Sequence, residues 1–182
     1  TAFGENYSQE AVEKIGLVAD LPLEWHCIGP IQSNKTRLIA AHFHWAHTVE
    51  RLKVAQRLSQ QRPDGMPPLQ VCIQVNIDGG PTKSGVAPQE VLALAREVAR
   101  LPRITLRGLM TIPEPVEGFE AQGGAHLRRR ALFDSRRDAG LALDALARGM
   151  TAGLDAAIAA GSTMVRIGTA IFGGRAAAAT AG

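Results

Sequence analysis

Short apolar, β-prone runs alternate with longer helix-like stretches from one end of this chain to the other. The strand-like runs fall at 2–6, 24–28, 44–48, 69–77, 104–111, 143–147 and 164–168, and the helix-like stretches at 8–19, 34–43, 50–61, 88–100, 127–139 and 152–160. Parallel neighbours must be joined by long crossovers, so this alternation predicts a parallel sheet flanked by helices. The stretch 88–100 is the clearest helix: Pro88 suits a first turn, and Val91, Leu94, Ala95, Val98 and Leu101 recur at helical spacing before Pro102. In 50–61, Leu52, Ala55 and Leu58 form a stripe that Pro63-Asp64-Gly65 ends.

Such a sheet is either open and doubly wound or curled into a barrel, and the run 69–77 favours the barrel. Val71, Ile73, Val75 and Ile77 face one way, while Gln70, Cys72, Gln74 and Asn76 face the other. An aliphatic outer face against helices with a more polar inner face suits a barrel that carries its site inside. A sheet covered on both sides reads apolar on both faces. No dinucleotide-binding fingerprint follows the first strand. With 182 residues, one domain is expected over 1–175, with a low-complexity tail at 176–182 and a polar, Gly-rich loop from Glu114 to Gly124.

Composition narrows the function classes. Apolar residues make up 46% and the formal net charge is only +3, which argues against disorder and against nucleic acid as a default partner. Cys27 and Cys72 sit in apolar strand-like runs, so a reduced cytoplasmic setting is expected. No run reaches the roughly 20 apolar residues of a membrane span, and no basic-then-apolar leader is present.

Chemistry is concentrated in three segments. In Met164-Val165-Arg166-Ile167-Gly168-Thr169, an apolar strand carries one Arg into Gly-Thr, where backbone N–H groups and a hydroxyl suit an oxyanion. On composition, a Gly-containing turn with a satisfied Arg explains this segment equally well. Gly149-Met150-Thr151 is a second such turn; alone it reads as a plain N-cap, and the pair is more specific than either. In the third, Trp25-His26-Cys27-Ile28-Gly29-Pro30 runs into the polar cluster Gln32-Ser33-Asn34-Lys35. His26 there suits a core position or a ligand contact, and Asn6-Tyr7 after the first strand is similarly ambiguous. His42, His44 and His47 lack an intervening acidic residue, and no metal site is expected. The basic run Arg128-Arg129-Arg130 has no interleaved aromatics and reads as a solvated helix face.

Together these segments resemble the pyridoxal phosphate homeostasis (YggS/PROSC-type) proteins over nearly the whole chain. The matching stretches are Phe3-Gly4-Glu5-Asn6-Tyr7, Trp25-His26 through Lys35, Lys83-Ser84-Gly85, Arg107-Gly108-Leu109-Met110, Gly149-Met150-Thr151 and Ala156 through Gly173. The resemblance implies the (β/α)8 barrel of the alanine racemase N-terminal type, here with seven strands because the chain begins after the family's first strand. It implies a cytoplasmic, monomeric protein of intracellular pyridoxal 5′-phosphate (PLP) homeostasis with no catalytic activity. Carried over by position, Gly168, Thr169 and Thr151 hold the phosphate, Arg166 lies beside the pyridine nitrogen, Asn6 lies near the ring, and His26 lines the pocket. The family's Ala-Val-Ser-Lys motif, whose lysine forms the imine, has no match here, so non-covalent PLP is expected. Other departures are Cys27 for Phe or Met, Thr151 for Ser, Ala147 and Arg148 for Ser and Met, and Gly153 for an acidic residue. A racemase-like enzyme is one alternative, but it needs that lysine and a second domain; a fragment without tight PLP binding is the other.

Overall fold

The computed structural model describes residues 1–79, 84–112, 119–148, 154–159, 161–168 and 171. Among these residues there are seven strands: β1 (Ala2–Glu5), β2 (Glu24–Cys27), β3 (Trp45–Val49), β4 (Leu69–Gln74), β5 (Ile104–Thr111), β6 (Ala145–Arg148) and β7 (Met164–Val165). They pair in chain order and every pairing is parallel. An unreversed order is that of a barrel; a doubly wound sheet reverses at a switch point. Among the described residues β1 and β7 are the sheet edges. The connecting helices are α1 (Ser8–Leu17), α2 (Thr36–His42), α3 (Leu52–Gln61), α4 (Val91–Ala99), α5 (Phe119–Asp138) and α6 (Leu154–Ala159).

Two apolar clusters follow from the period-2 alternation of the strands. The larger lies between sheet and helices: Val71, Ile73, Val75 and Leu109 from the sheet meet Ile39, Leu58, Val91 and Val98 from the helices. The smaller lies inside the curl: Trp45, Cys72, Met110, Ala145 and Ala147, with Met164 against them. The expected faces of 69–77 are thus the observed ones, although β4 itself ends at Gln74. Inside the curl, alanines opposite Trp45 and Met110 let large and small side chains interdigitate in a narrow interior. At Gly108 on β5, a Cβ would overlap the Ala145 carbonyl oxygen, so β5 and β6 approach only because no side chain intervenes.

Two helix starts differ from the sequence reading by three residues or more. Pro88–Glu90 forms a 3₁₀ turn, and the α-helix starts at Val91. Helix α5 begins at Phe119, so Gly123 and Gly124, expected in a loop, are helical. Each glycine costs about 1 kcal/mol in a helix interior, yet once the helix is nucleated, extension adds one hydrogen bond per residue fixed. The basic run on α5 is also less free than a solvated face: Arg130 pairs with Asp134 at 2.8 Å, Arg136 donates to the Pro88 carbonyl, and Arg137 lies over Phe133.

The floor at the N-terminal ends of the strands is tied by Arg62. Its guanidinium is buried and donates to the carbonyls of Ala40 (2.8 Å), Phe43 (2.7 Å) and Pro67 (2.9 Å). It therefore joins the end of α2 and the entry to β3 to the segment leading into β4.

Candidate functional site

Parallel barrels place their sites at the C-terminal ends of the strands. There β7 runs out into Arg166, Ile167 and Gly168. Burial disfavours the charged form of the half-buried Arg166 guanidinium. Gly168 is exposed, and among the described residues a Cβ placed there would meet nothing within 4 Å, so none of these covers its main chain. The Ile171 N–H donates to the Gly168 carbonyl at 2.9 Å.

Arg166 stands near His47 of β3 closely enough that the guanidinium disfavours a protonated His47. Flat strands four places apart would lie about 19 Å from one another, so this proximity is a product of the curl. Burial is the larger cause, and together with His26 and Arg166 it pushes His47 down to about 3.

Beneath Arg166, the inward side chains of β2 and β3 form a hydrogen-bonded chain. Glu24 Oε1 lies 2.7 Å from His26 Nε2, and His26 Nδ1 lies 2.8 Å from His47 Nε2. His26 is buried, and desolvation lowers its pKa despite the raising effect of Glu24. Trp45 stacks on the His26 ring at 5.2 Å and 7°. Arg107 covers the indole at 4.9 Å. The same guanidinium grips Asp144 with two bonds of 2.7 Å and reaches Gln70 at 2.8 Å. The Arg107 hydrogen bonds hold the Asp144 carboxyl below the usual carboxylate range.

The described site residues from the sequence reading occupy distinct levels. Arg166 and Gly168 lie together at the end of β7, and Asn6 is exposed just beyond β1. The Asn6 carbonyl packs against Gly29 so closely that any Cβ there would collide with it. His26 lies deeper, with both ring nitrogens engaged. Thr151 and Thr169 lie outside the described residues, as do Lys83, the stretch from Glu114 to Gly118 and the tail 176–182. The three histidines 42, 44 and 47 are separated: His42 ends α2, His44 Nδ1 accepts the Trp25 N–H at 2.9 Å, and His47 is buried. Among the described residues no group of three or more His, Cys, Asp and Glu side chains is placed to hold a metal ion, and no helix is long and apolar enough to cross a membrane.

The Ser84-Gly85 stretch is explained by its packing on the end of β4. Gly85 has φ 114° and sits against the backbone of Val75 and Asn76, while its N–H donates to Glu50 at 2.7 Å. Sequence reasoning missed Glu24 and the role of His47. The available signal was the pair of spacings Glu24-Trp25-His26 and Trp45-Ala46-His47, which put polar and aromatic side chains on the inward face of adjacent strands.

An all-parallel curled sheet in unreversed order is that of the α/β barrels, and residues 1–176 match the family model of the alanine racemase N-terminal domain. The chain is 59% identical over 173 residues to the pyridoxal phosphate homeostasis protein of Pseudomonas aeruginosa, covering 95% of this chain and 74% of that one. It is 51% identical over 176 residues to the protein of the same name from Escherichia coli K12, covering 95% and 75%. The solved structure of PipY from Synechococcus elongatus with PLP bound superposes with a TM-score of 0.85 at 32% identity, over 94% of this chain and 81% of that one. The chain belongs to the pyridoxal phosphate homeostasis protein family. Its likeness to alanine racemase of Clostridium difficile, at 18% identity and a TM-score of 0.70 over 91% of this chain and 45% of that one, is one of fold alone.

Proposed function

We propose that this chain binds pyridoxal 5′-phosphate at the C-terminal end of the barrel and serves intracellular PLP homeostasis without turning over a substrate. The observation that carries the reading is the exit from β7, where the Arg166 guanidinium and the main chain of Gly168, which no described residue covers, lie two residues apart. That donor set fits the group: PLP offers a phosphate and a ring nitrogen, both acceptors. Main-chain N–H groups of Gly168 and Thr169 and the hydroxyls of Thr169 and Thr151 hold the phosphate. Arg166, which does not give up its proton, donates to the pyridine nitrogen and keeps it unprotonated. PLP supplies an electron-withdrawing ring when bound, and an unprotonated nitrogen weakens that capacity, which suits holding over turnover. Asn6 borders the ring from β1. His26 acts from beneath the site, since its nitrogens already bond Glu24 and His47.

Residues 1–182 hold PLP non-covalently in this reading, as one domain over 1–175 with a tail at 176–182, in a cytoplasmic monomer. PLP titration followed by absorbance and tryptophan quenching tests it. Thr169→Ala loses a charge-assisted hydrogen bond of roughly 1.5 kcal/mol, so its dissociation constant rises about tenfold. Unchanged affinity in Thr169→Ala, or stoichiometric borohydride labelling of Lys35 or Lys83, overturns the assignment.

A further inference from the structure

A carboxylate only accepts hydrogen bonds, so the 2.7 Å contact of Glu24 Oε1 with His26 Nε2 requires the proton to be on Nε2. Burial lowers both imidazoles, so His26 and His47 are neutral near pH 7. A neutral ring carries one N–H; His26 Nδ1 is then an acceptor, and the 2.8 Å contact is filled by the N–H at His47 Nε2. His47 Nδ1 is left with a lone pair that is shielded from water and has no hydrogen-bond partner among the described residues. His47 is 0% exposed.

We propose that Glu24 and His26 are positioning residues that lock His47 in its Nε2–H tautomer, so that an imidazole acceptor, rather than a donor or a cation, stands beside Arg166 beneath the pocket. Arg166 is all donor. A lone pair at His47 attracts its guanidinium, whereas an N–H or an imidazolium there repels it. The chain thus reaches from Glu24, at the opposite mouth of the barrel and with its side chain 51% exposed, to the cofactor end. The other polar groups near it are engaged elsewhere: Arg107 with Asp144 on the β5–β6 side, and His44 with the Trp25 N–H at the entry to β3. The consequence for the ligand rests on the PLP reading given above; the tautomer does not.

The test is ¹⁵N NMR of histidine-labelled protein without PLP, with PLP titrations alongside and melting curves to show that each variant is folded. Wild type carries the proton on Nε2 at both His26 and His47. Glu24→Gln keeps this pattern, because its amide oxygen still accepts from Nε2–H. Glu24→Ala gives mixed tautomers at both rings and raises the PLP dissociation constant about fivefold. An N–H at Nδ1 of His47 in the wild type, an imidazolium at either ring near pH 7, or equal tautomer patterns in Glu24→Gln and Glu24→Ala would overturn the proposal. Absence of PLP binding by the wild type refutes the cofactor reading alone, since the spectra are recorded without PLP.

Discussion

Replacing Arg62 by Met removes a buried guanidinium while keeping much of its volume and its aliphatic stem. Three carbonyls lose donors: Ala40, Phe43 and Pro67. Pro67 is an exposed residue, so its oxygen can turn to water, but Ala40 and Phe43 are each 0% exposed. The Ala40 carbonyl lies in the last turn of α2, and the N–H that would continue the helix, that of His44, donates to Trp25 instead. Each orphaned buried carbonyl costs about 1–3 kcal/mol, and a cation lost from a partly buried helix C-terminus costs up to ~2 kcal/mol more. Packing by the Met side chain offsets part of this, leaving a destabilisation of about 3–5 kcal/mol. A domain of this size has roughly 5–15 kcal/mol in all, so the variant folds but marginally. Urea unfolding at pH 7, read by tryptophan fluorescence, measures it. Arg62→Lys keeps the charge but not the planar fork and falls between the two. Because Arg62 lies at the floor, PLP affinity below the melting range changes less than twofold in either variant, on the order of 0.4 kcal/mol. A loss under about 1 kcal/mol in Arg62→Met, or full retention in Arg62→Lys, would show that water or rearrangement satisfies these carbonyls and would refute the reasoning.

Two further outcomes follow from the packing and from the buried imidazoles. Gly108→Ala drives a methyl into the Ala145 carbonyl and separates β5 from β6, so the variant is recovered unfolded or aggregated; a soluble variant melting within about 4 °C of wild type contradicts the register. His47 titrates near 6.5 in the unfolded chain and near 3 in the native one, so between these values the unfolded chain binds the extra proton. Stability therefore falls as pH drops from 6.5 toward 3, by up to about 1.4 kcal/mol per pH unit from this group. His47→Gln removes that share of the slope in urea midpoints measured between those limits, and an unchanged slope argues against a buried neutral His47.

Strand order and facing were legible because they depend on local periodicity. The alternation in 69–77 set Val71 and Ile73 against helices and Cys72 inside, and this survives any change in which strand lies opposite. The Glu24–His26–His47 chain was not legible because it depends on register between strands. His26 aligns with Trp45, and an irregularity between Ala46 and Val49 shifts the β3–β4 pairing; neither spacing is encoded within a single element. Arg62 was hidden for a related reason. Arg62-Pro63-Asp64-Gly65 reads as a helix stop, which it is, but the carbonyls that hold the guanidinium come from residues about twenty positions earlier. The start of α5 escaped because local glycine preference opposed an extension of the helix that cooperative propagation supplied.

The distribution of charge along the barrel axis gives these separate features one physical logic. At the N-terminal end, cations are neutralised or consumed: Arg107 by Asp144, Arg103 by Asp64, and Arg62 by carbonyls. Above that floor stand neutral groups, with Trp45 between the Arg107 guanidinium and the His26 ring, and His47 against both Trp45 and His26. At the other end stands Arg166, followed by the backbone at Gly168, which no described residue covers. Buried charges interact more strongly where water is excluded, so a second cation near Arg166 would compete directly for any anion or lone pair brought to that end. Burial is what keeps the two imidazoles neutral, against the pull of Glu24 on His26, and in the proposal above Glu24, on the far side of the barrel, settles only which nitrogen carries the proton.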